Sequence, residues 1–223
     1  HGHNHPAINR AIIEQVEKVS HSTSLGMSNS TTIRLARRLV EVTPEGLDHV
    51  FFSSDGSSAN EVALKAAFQY WQQCDEPQPR KTKFLTFGEA YHGDTLGAAS
   101  VGGIAKFQSV FSPLLFEVIR APQPDARVAK DFIAETETLL RAHHEELAGI
   151  IVEPMMQGAA GMVMQPAGFM RSLREMATRY NVLLIADEVA TGFGRTGRMW
   201  GCDHEQVAPD LMTLGKGITG GYL

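Results

Sequence analysis

The segment VLLIADEVATGFGRTG (182–197) runs from five consecutive apolar residues directly into two acids and then into glycines. An unpaired carboxylate at the edge of a core is costly, so Asp187 and Glu188 should each meet a partner. Successive strand residues point to opposite faces, so the two acids cannot face one ligand, whereas Val189 shares the side of Asp187. The segment therefore predicts a buried strand that ends on a functional acid or, alternatively, on an acid that caps the following turn.

Short apolar runs alternate with segments of helical period along the chain. Strands are predicted at 49–54, 83–87, 116–122, 148–154, 181–188 and 210–216, and helices at 57–73, 127–142 and 167–180. Strands separated by helices imply a largely parallel sheet, and runs such as GIIV lack the polar alternation of half-exposed strands. We predict an α/β fold of three layers, α/β/α. Residues 1–40 form lead-in helices, and residues 41–223 form the main domain.

Lys216 follows a predicted strand and is flanked by Gly215 and Gly217, which allow a ligand to approach the backbone closely. Ligands of parallel sheets bind beyond the carboxyl ends of the strands. A lysine there can attack a carbonyl, although a solvated surface lysine is the alternative. Lysine and Asp187 on neighbouring strand ends suit pyridoxal phosphate, whose aldehyde needs an amine and whose ring nitrogen needs an acid. Val189 would pack on the ring.

The segment DGSSANE (55–61) places small residues between a predicted strand and a helix. Free backbone N–H groups and the helix dipole there can face an anion such as a phosphate, and Ser57 and Ser58 add hydroxyl groups. The alternative is a capping box formed by Ser58 and Glu61. Tyr91, near the same sheet edge, can stack on the cofactor ring or serve as a packing residue.

Composition excludes several classes of function. A net charge of -5 without a basic stripe argues against nucleic-acid binding. No apolar run approaches the roughly 20 residues of a membrane span, so no membrane partner is expected. Cys74 and Cys202 do not form a CxxC pair and indicate reduced thiols of a cytoplasmic protein.

Two other site types deserve weight. GFGRTG (192–197) is a formal G-x-G-x-x-G that would indicate a dinucleotide-binding oxidoreductase, but Gly201 and Pro209 occupy the place of the required long helix. Histidines 1, 3 and 5 and the Cys202–His204 pair lack a fourth ligand at a convincing spacing. We therefore predict no metal site.

Four segments together resemble a known family. YHGDTLGA (91–98), IIVEPMMQGAAGM (150–162), LLIADEVATGFGRTG (183–197) and PDLMTLGKGITGGYL (209–223) resemble the class III aminotransferases of pyridoxal-phosphate fold type I, over essentially the whole chain. The resemblance implies Lys216 as the Schiff-base lysine, Asp187 at the pyridine nitrogen, Gly56 and Ser57 at the phosphate, and Tyr91 beside the ring and substrate. Glu153 takes the family's "EP" position, with a structural or substrate-orienting role. Asp55 departs from the small polar residue expected there and should point away from the phosphate.

The resemblance also implies an activity. It indicates ping-pong transamination by a homodimer, from S-adenosylmethionine (lysine in some relatives) to 8-amino-7-oxononanoate, as in biotin biosynthesis. Alternatives are another class III ω-aminotransferase, acting from an ω-amine or β-alanine to pyruvate, and a non-catalytic fragment. The family's phosphate-binding threonine and substrate-binding arginine would follow residue 223, and its pocket aromatics would precede His1. We therefore expect a large domain that is incomplete at its C-terminus and lacks the C-terminal small domain.

Overall fold

The computed structural model describes residues 1–222 and is built on a five-stranded parallel sheet of order β2-β1-β3-β6-β7. Its strands are β1 (Lys83–Phe87), β2 (Ile119–Ala121), β3 (Leu147–Val152), β6 (Leu183–Asp187) and β7 (Leu211–Thr213). A separate antiparallel hairpin joins β4 (Met156–Gln157) to β5 (Val163–Met164). The helices are α1 (Pro6–Lys18), α2 (Ser30–Val42), α3 (Gly56–Gln73), α4 (Leu96–Val101), α5 (Ala105–Gln108), α6 (Phe132–His143) and α7 (Phe169–Arg179).

Helices cover both faces of this sheet. Ile150 and Val152 of β3 pack in one apolar cluster that also contains Leu140 of α6 and Leu173 of α7. Ile151, pointing the other way, packs with residues of α3. All six residues of β3 are buried, which explains why its sequence shows no polar alternation. The predicted three-layer α/β/α fold with a mostly parallel sheet is confirmed.

The N-terminus of α3 is capped differently from the prediction. Asp55 is the N-cap, and its carboxylate accepts hydrogen bonds from the backbone N–H (2.8 Å) and hydroxyl (3.1 Å) of Ser58. These bonds lower the pKa of Asp55, chiefly through the Ser58 N–H. The capping box that the sequence offered for Ser58 and Glu61 does not form, because the Glu61 carboxylate instead accepts hydrogen bonds from Gly97 N and Ala98 N at the start of α4. The Asp55 carboxylate thus faces the first turn of α3, and the expectation that it points away from a bound phosphate stays a prediction.

The strand predicted at 49–54 does not form. These residues are irregular, and Phe51 and Phe52 are 75% and 43% exposed. A strand needs a neighbour for its backbone N–H and C=O groups, and within residues 1–222 no strand pairs with this run. The other five predicted strands and all three predicted helices are present, although α6 begins at Phe132 rather than 127 and β2 has only three residues.

The first two helices contribute little to the core. α1 has no buried residue, and α2 buries only Leu39. Across the described residues, none of the helices combines the length and the apolar character that crossing a membrane requires. The division into lead-in helices and main domain stays a prediction.

Candidate active site

The carboxyl ends of β6 and β7 bring the predicted lysine and acid to one edge of the sheet. The two strands are parallel, with Asp187 paired in register with Thr213. Lys216 begins a 3₁₀ turn three residues after Thr213. Both functional groups therefore leave neighbouring strands at the same edge, where ligands of parallel sheets bind.

Val189 packs against two glycines at this edge. A Cβ added at Gly56 would lie 2.6 Å from Cγ1 of Val189, and one added at Gly215 would lie 3.0 Å from the same atom. The Gly215 Cβ would also lie 3.3 Å from the Cα of Gly56. Only glycine allows this approach, so the start of α3, the end of β6 and the lysine turn meet around one valine side chain.

Asp187 is buried and accepts three hydrogen bonds. Its Oδ2 accepts from His92 Nδ1 (2.7 Å) and Asn60 Nδ2 (2.9 Å), and its Oδ1 accepts from Val189 N (3.0 Å). The Asn60 amide is oriented in turn, because its Oδ1 accepts from the Thr213 hydroxyl at 2.7 Å. Three hydrogen-bond donors thus converge on this one carboxylate.

Asn60 and His92 were not predicted as site residues. Asn60 lies among Ala63, Leu64 and Ala67 on the buried face of α3, and a polar residue within an apolar face was the available signal. His92 follows Tyr91 directly, yet its contact with Asp187 spans 95 residues of sequence. Its Nε2 is buried and has no hydrogen-bond partner within residues 1–222.

Glu188 points to the opposite face and is fully buried. Its Oε1 accepts from Cys202 N (2.8 Å), and its Oε2 accepts from Gly201 N (2.9 Å) and from the Thr191 hydroxyl. The negative charge and the burial both raise the pKa of the Cys202 thiol, burial more strongly. The two adjacent acids thus have separate sets of donors, and Glu188 ties the segment after β6 to the 3₁₀ helix Gly201–His204.

The GFGRTG loop supports the lysine turn. Phe193 stacks edge-on against Trp200, and a Cβ added at Gly217 would lie 2.9 Å from the Cβ of Phe193. The loop is followed by the four-residue 3₁₀ helix Gly201–His204 rather than by a long α-helix, so the dinucleotide-binding interpretation lacks its helix. Lys216 is exposed and has a φ of 41°, a left-handed conformation that a residue with a side chain seldom adopts.

The side chains of Ser57 and Tyr91 both form hydrogen bonds with the segment that leads into α4. The Ser57 hydroxyl donates to the Thr95 hydroxyl (3.2 Å) and accepts from Asp94 N and Thr95 N at 3.0 Å each. The Tyr91 hydroxyl donates to Asp94 at 2.9 Å, and burial is the main cause that raises its pKa. Because the Ser57 hydroxyl already has hydrogen-bond partners, the backbone N–H groups in the first turn of α3 are better placed to donate to an anion.

Glu153 lies directly after β3 and is buried. Its Oε2 accepts from Tyr91 N (3.2 Å) and its Oε1 from Gly158 N (3.0 Å). Burial raises its pKa to about 7, the charge of His92 lowers it, and that of Asp187 raises it. A third buried acid thus adjoins the predicted site.

No comparable cluster of possible metal-binding residues accompanies these acids in the described part of the chain. Within the described range, no three histidine, cysteine or acidic side chains come together as a metal site would require. His204, the strongest candidate partner of Cys202, directs its Nε2 at the carbonyl and hydroxyl of Thr196, 3.1 Å from each.

Comparison with known proteins defines the class. Residues 1–223 match the family model described as Aminotransferase class-III, so the chain belongs to the class-III aminotransferases. Among curated proteins it is 48% identical to adenosylmethionine-8-amino-7-oxononanoate aminotransferases of Nitratidesulfovibrio vulgaris and Geobacter sulfurreducens. Each alignment covers the whole chain, and 43% and 51% of the respective relative. The chain thus spans about half the length of these relatives.

Solved structures share the fold. The adenosylmethionine-8-amino-7-oxononanoate aminotransferase of Methanocaldococcus jannaschii superposes with a TM-score of 0.93 at 43% identity, covering 99% of this chain and 50% of that one. An (S)-enantioselective omega-transaminase of Thermomicrobium roseum gives a TM-score of 0.91 at 38% identity, covering 99% of this chain and 51% of the other. The fold is that of the class III transaminases.

Proposed function

We propose that the protein carrying this sequence is a pyridoxal-phosphate-dependent aminotransferase that transfers an amino group to 8-amino-7-oxononanoate in biotin biosynthesis. The observation that carries the proposal is the meeting of three elements around Val189: the end of β6 with Asp187, the turn with Lys216, and the start of α3 at Gly56. An amine, an acid and a helix N-terminus are the groups that this cofactor's aldehyde, ring nitrogen and phosphate require.

The residues present fit the cofactor. Gly56 lets the start of α3 approach Val189 closely, and the backbone N–H groups of Gly56 and Ser57 at this helix N-terminus would hold the phosphate. Asp187 accepts three hydrogen bonds and would also accept one from the ring nitrogen, with Val189 against the ring. Tyr91 would lie beside the ring and the substrate. When bound, pyridoxal phosphate supplies an electron sink for a carbanion formed at the amino-bearing carbon.

Two side chains would carry the protein's part of the chemistry. Lys216 would hold the cofactor through its amine and, once the amino donor displaces it, would move a proton first as general base and then as general acid. Its glycine neighbours and its position on a turn leave that side chain room to move. Asp187 would keep a positive charge on the ring nitrogen throughout, because a buried carboxylate stabilises an adjacent cation.

The substrates are proposed from the relatives. Curated relatives at 40–48% identity are named for adenosylmethionine and 8-amino-7-oxononanoate. We accordingly propose S-adenosylmethionine, or lysine, as amino donor and a homodimer as the active form. The second candidate is an ω-transaminase acting on another amine, and the resemblance to the Thermomicrobium roseum structure supports it less strongly because identity falls to 38%.

Borohydride reduction of the holoenzyme tests the lysine. Reduction should fix the cofactor covalently on the protein, and peptide mass mapping should find the adduct on Lys216 alone. Lys216→Arg keeps the charge but cannot act as a nucleophile, so it should lose both the adduct and turnover. Lys65→Ala, on the exposed side of α3, is the matched control and should retain both.

Half-reactions distinguish the substrates. The cofactor's absorbance should change with S-adenosylmethionine or lysine as donor, and 8-amino-7-oxononanoate should reverse the change. A response to simple ω-amines and pyruvate alone would favour the ω-transaminase. A protein that takes up no cofactor would contradict both candidates and favour a non-catalytic role.

A further inference from the structure

Glu153 connects three segments beside the proposed site. It follows β3, its Oε2 accepts from Tyr91 N, and its Oε1 accepts from Gly158 N beyond the first strand of the β4–β5 hairpin. Its backbone carbonyl accepts from Gln165 Nε2 at 2.7 Å, which adds the far end of the same hairpin. A single buried carboxylate therefore holds the segment before His92 against the sheet edge.

Few charged groups act on this carboxylate. Within residues 1–222, no lysine or arginine forms an ion pair with Glu153, and the charged groups that act on it are His92 and Asp187. Its hydrogen bonds come from neutral backbone N–H groups. Burial raises its pKa to about 7, so the group changes charge near neutral pH within a few side chains of Asp187.

His92 links this acid to the proposed cofactor site. Tyr91 N bonds to Glu153, and the very next side chain, His92, bonds to Asp187 at 2.7 Å. A shift of the Tyr91 peptide would therefore move both the Tyr91 ring and the imidazole that orients Asp187. The buried Nε2 of His92 makes this arrangement sensitive, because among residues 1–222 only the hydrogen bond to Asp187 holds the imidazole ring.

We propose that Glu153 is a positioning residue, which acts through the Tyr91–His92 segment to place the tyrosine ring and, through His92, the carboxylate of Asp187. The inference rests on the proposed function. As a carboxylate, Glu153 accepts both N–H groups, whereas in Glu153→Gln the amide NH₂ must face one of them, donor against donor. A new negative charge on Glu153 also adds to that of Asp187, so the cofactor's ring nitrogen should hold its proton more tightly once Glu153 ionises.

The experiment follows the cofactor's absorbance against pH in the holoenzyme. Glu153→Gln is compared with Glu146→Gln, a control at the opposite end of the same strand, where Glu146 forms a surface ion pair with Lys83. The original protein and Glu146→Gln should show an absorbance step near pH 7, which Glu153→Gln should lack. Glu153→Gln should also lose at least about tenfold in kcat with KM little changed, since a displacement of about 1 Å can cost about a hundredfold.

Each outcome decides the matter. A Glu153→Gln holoenzyme with the original pH step and kcat would overturn the inference while leaving the proposed function intact. A chain that takes up no pyridoxal phosphate would overturn the proposed function itself. If Glu153→Gln does not fold, infrared difference spectra of the original holoenzyme take its place. A protonated-carboxyl band that vanishes together with the absorbance step supports the role, and the absence of such a band contradicts it.

Discussion

Buried charged groups lie at both ends of the sheet, but they are satisfied to different degrees. At the amino ends of β1, β3 and β6, the buried Lys81 donates to three backbone carbonyls, those of His144 (2.7 Å), Asn181 (2.8 Å) and Leu147 (3.3 Å). Its ammonium also lies 4.6 Å from the centre of the Trp71 ring. All three donors of this lysine are used, and they tie together the starts of three strands.

At the carboxyl ends, the charged groups are less completely satisfied. His92 Nε2 has no partner in the described part of the chain, Glu153 has a raised pKa, and Lys216 has a strained backbone. Such features persist only where the surrounding structure imposes them, and they concentrate at functional sites. The amino end of the sheet thus ties strands together, whereas the carboxyl end carries the proposed binding site. Substitutions at the two ends should therefore affect different measurements.

The largest effect is expected for Asp187→Asn in the holoenzyme. A neutral amide cannot stabilise a positive charge on the ring nitrogen, so kcat should fall by about 10²- to 10³-fold. The fold should persist with a modest loss of stability, because the asparagine oxygen can still accept from His92 and Asn60 while its amide NH₂ faces Val189 N, donor against donor. The measurement is the rate of the first half-reaction together with circular dichroism.

The neighbouring acid provides the matched control for that variant. Glu188→Gln should instead lower the free energy of unfolding by about 1–3 kcal/mol, because a buried N–H donor loses its acceptor. Its cofactor absorbance should be unchanged. Equal losses of kcat in the two variants would break the distinction between the two faces of β6.

The next largest effect, a loss of stability, is expected for Lys81→Met. Methionine fills the space beside Trp71 but leaves three carbonyls without their donor, which should lower the free energy of unfolding by about 3 kcal/mol. The holoenzyme's kcat should not change, since the site lies at the other end of the sheet. Urea denaturation measures the loss.

A control and a pH dependence sharpen this result. Lys83→Met, which removes surface ion pairs with Glu117 and Glu146, should cost about 1 kcal/mol or less.

Burial lowers the pKa of Lys81 from 10.5 to about 8, so between these values the unfolded chain binds more protons than the folded one. Stability from this group should therefore rise with pH across that window, and Lys81→Met should abolish the rise. If Lys81→Met lost activity without losing stability, the assignment of the amino end of the sheet to stability would be contradicted.

A smaller effect than that of Lys81→Met is expected for Gly56→Ala. The new methyl group would lie 2.6 Å from Cγ1 of Val189, so the site must shift at a cost of about 1–3 kcal/mol. Val189→Ala removes the clash, and the double variant should recover most of the stability lost by Gly56→Ala. Unfolding free energies of the single and double variants measure this coupling. Simple additivity of the two changes would show that the contact does not limit the site.

The elements that could be predicted from the sequence are those whose patterns are local. β3 and β6 are continuous apolar runs, and α7 repeats its apolar residues with helical period, so each was found close to its observed bounds. The run at 49–54 has a similar apolar character and failed, because strand formation depends on a neighbour that local pattern does not reveal. The Asp55 cap was missed because several polar residues compete for one helix terminus.

Sequence by itself determined the order of strands and helices, the family, and the pair of Lys216 and Asp187 as candidates, since apolar periodicity and short motifs are written within a few residues. Only the tertiary structure decided which donors surround Asp187, for its contacts to His92 and Asn60 span 95 and 127 residues. It also decided that Glu188 turns away and that Glu153 adjoins the same segment as His92. Partners so distant in sequence meet only when parallel strands align their ends, and the hydrogen bonds of each acid depend on that meeting.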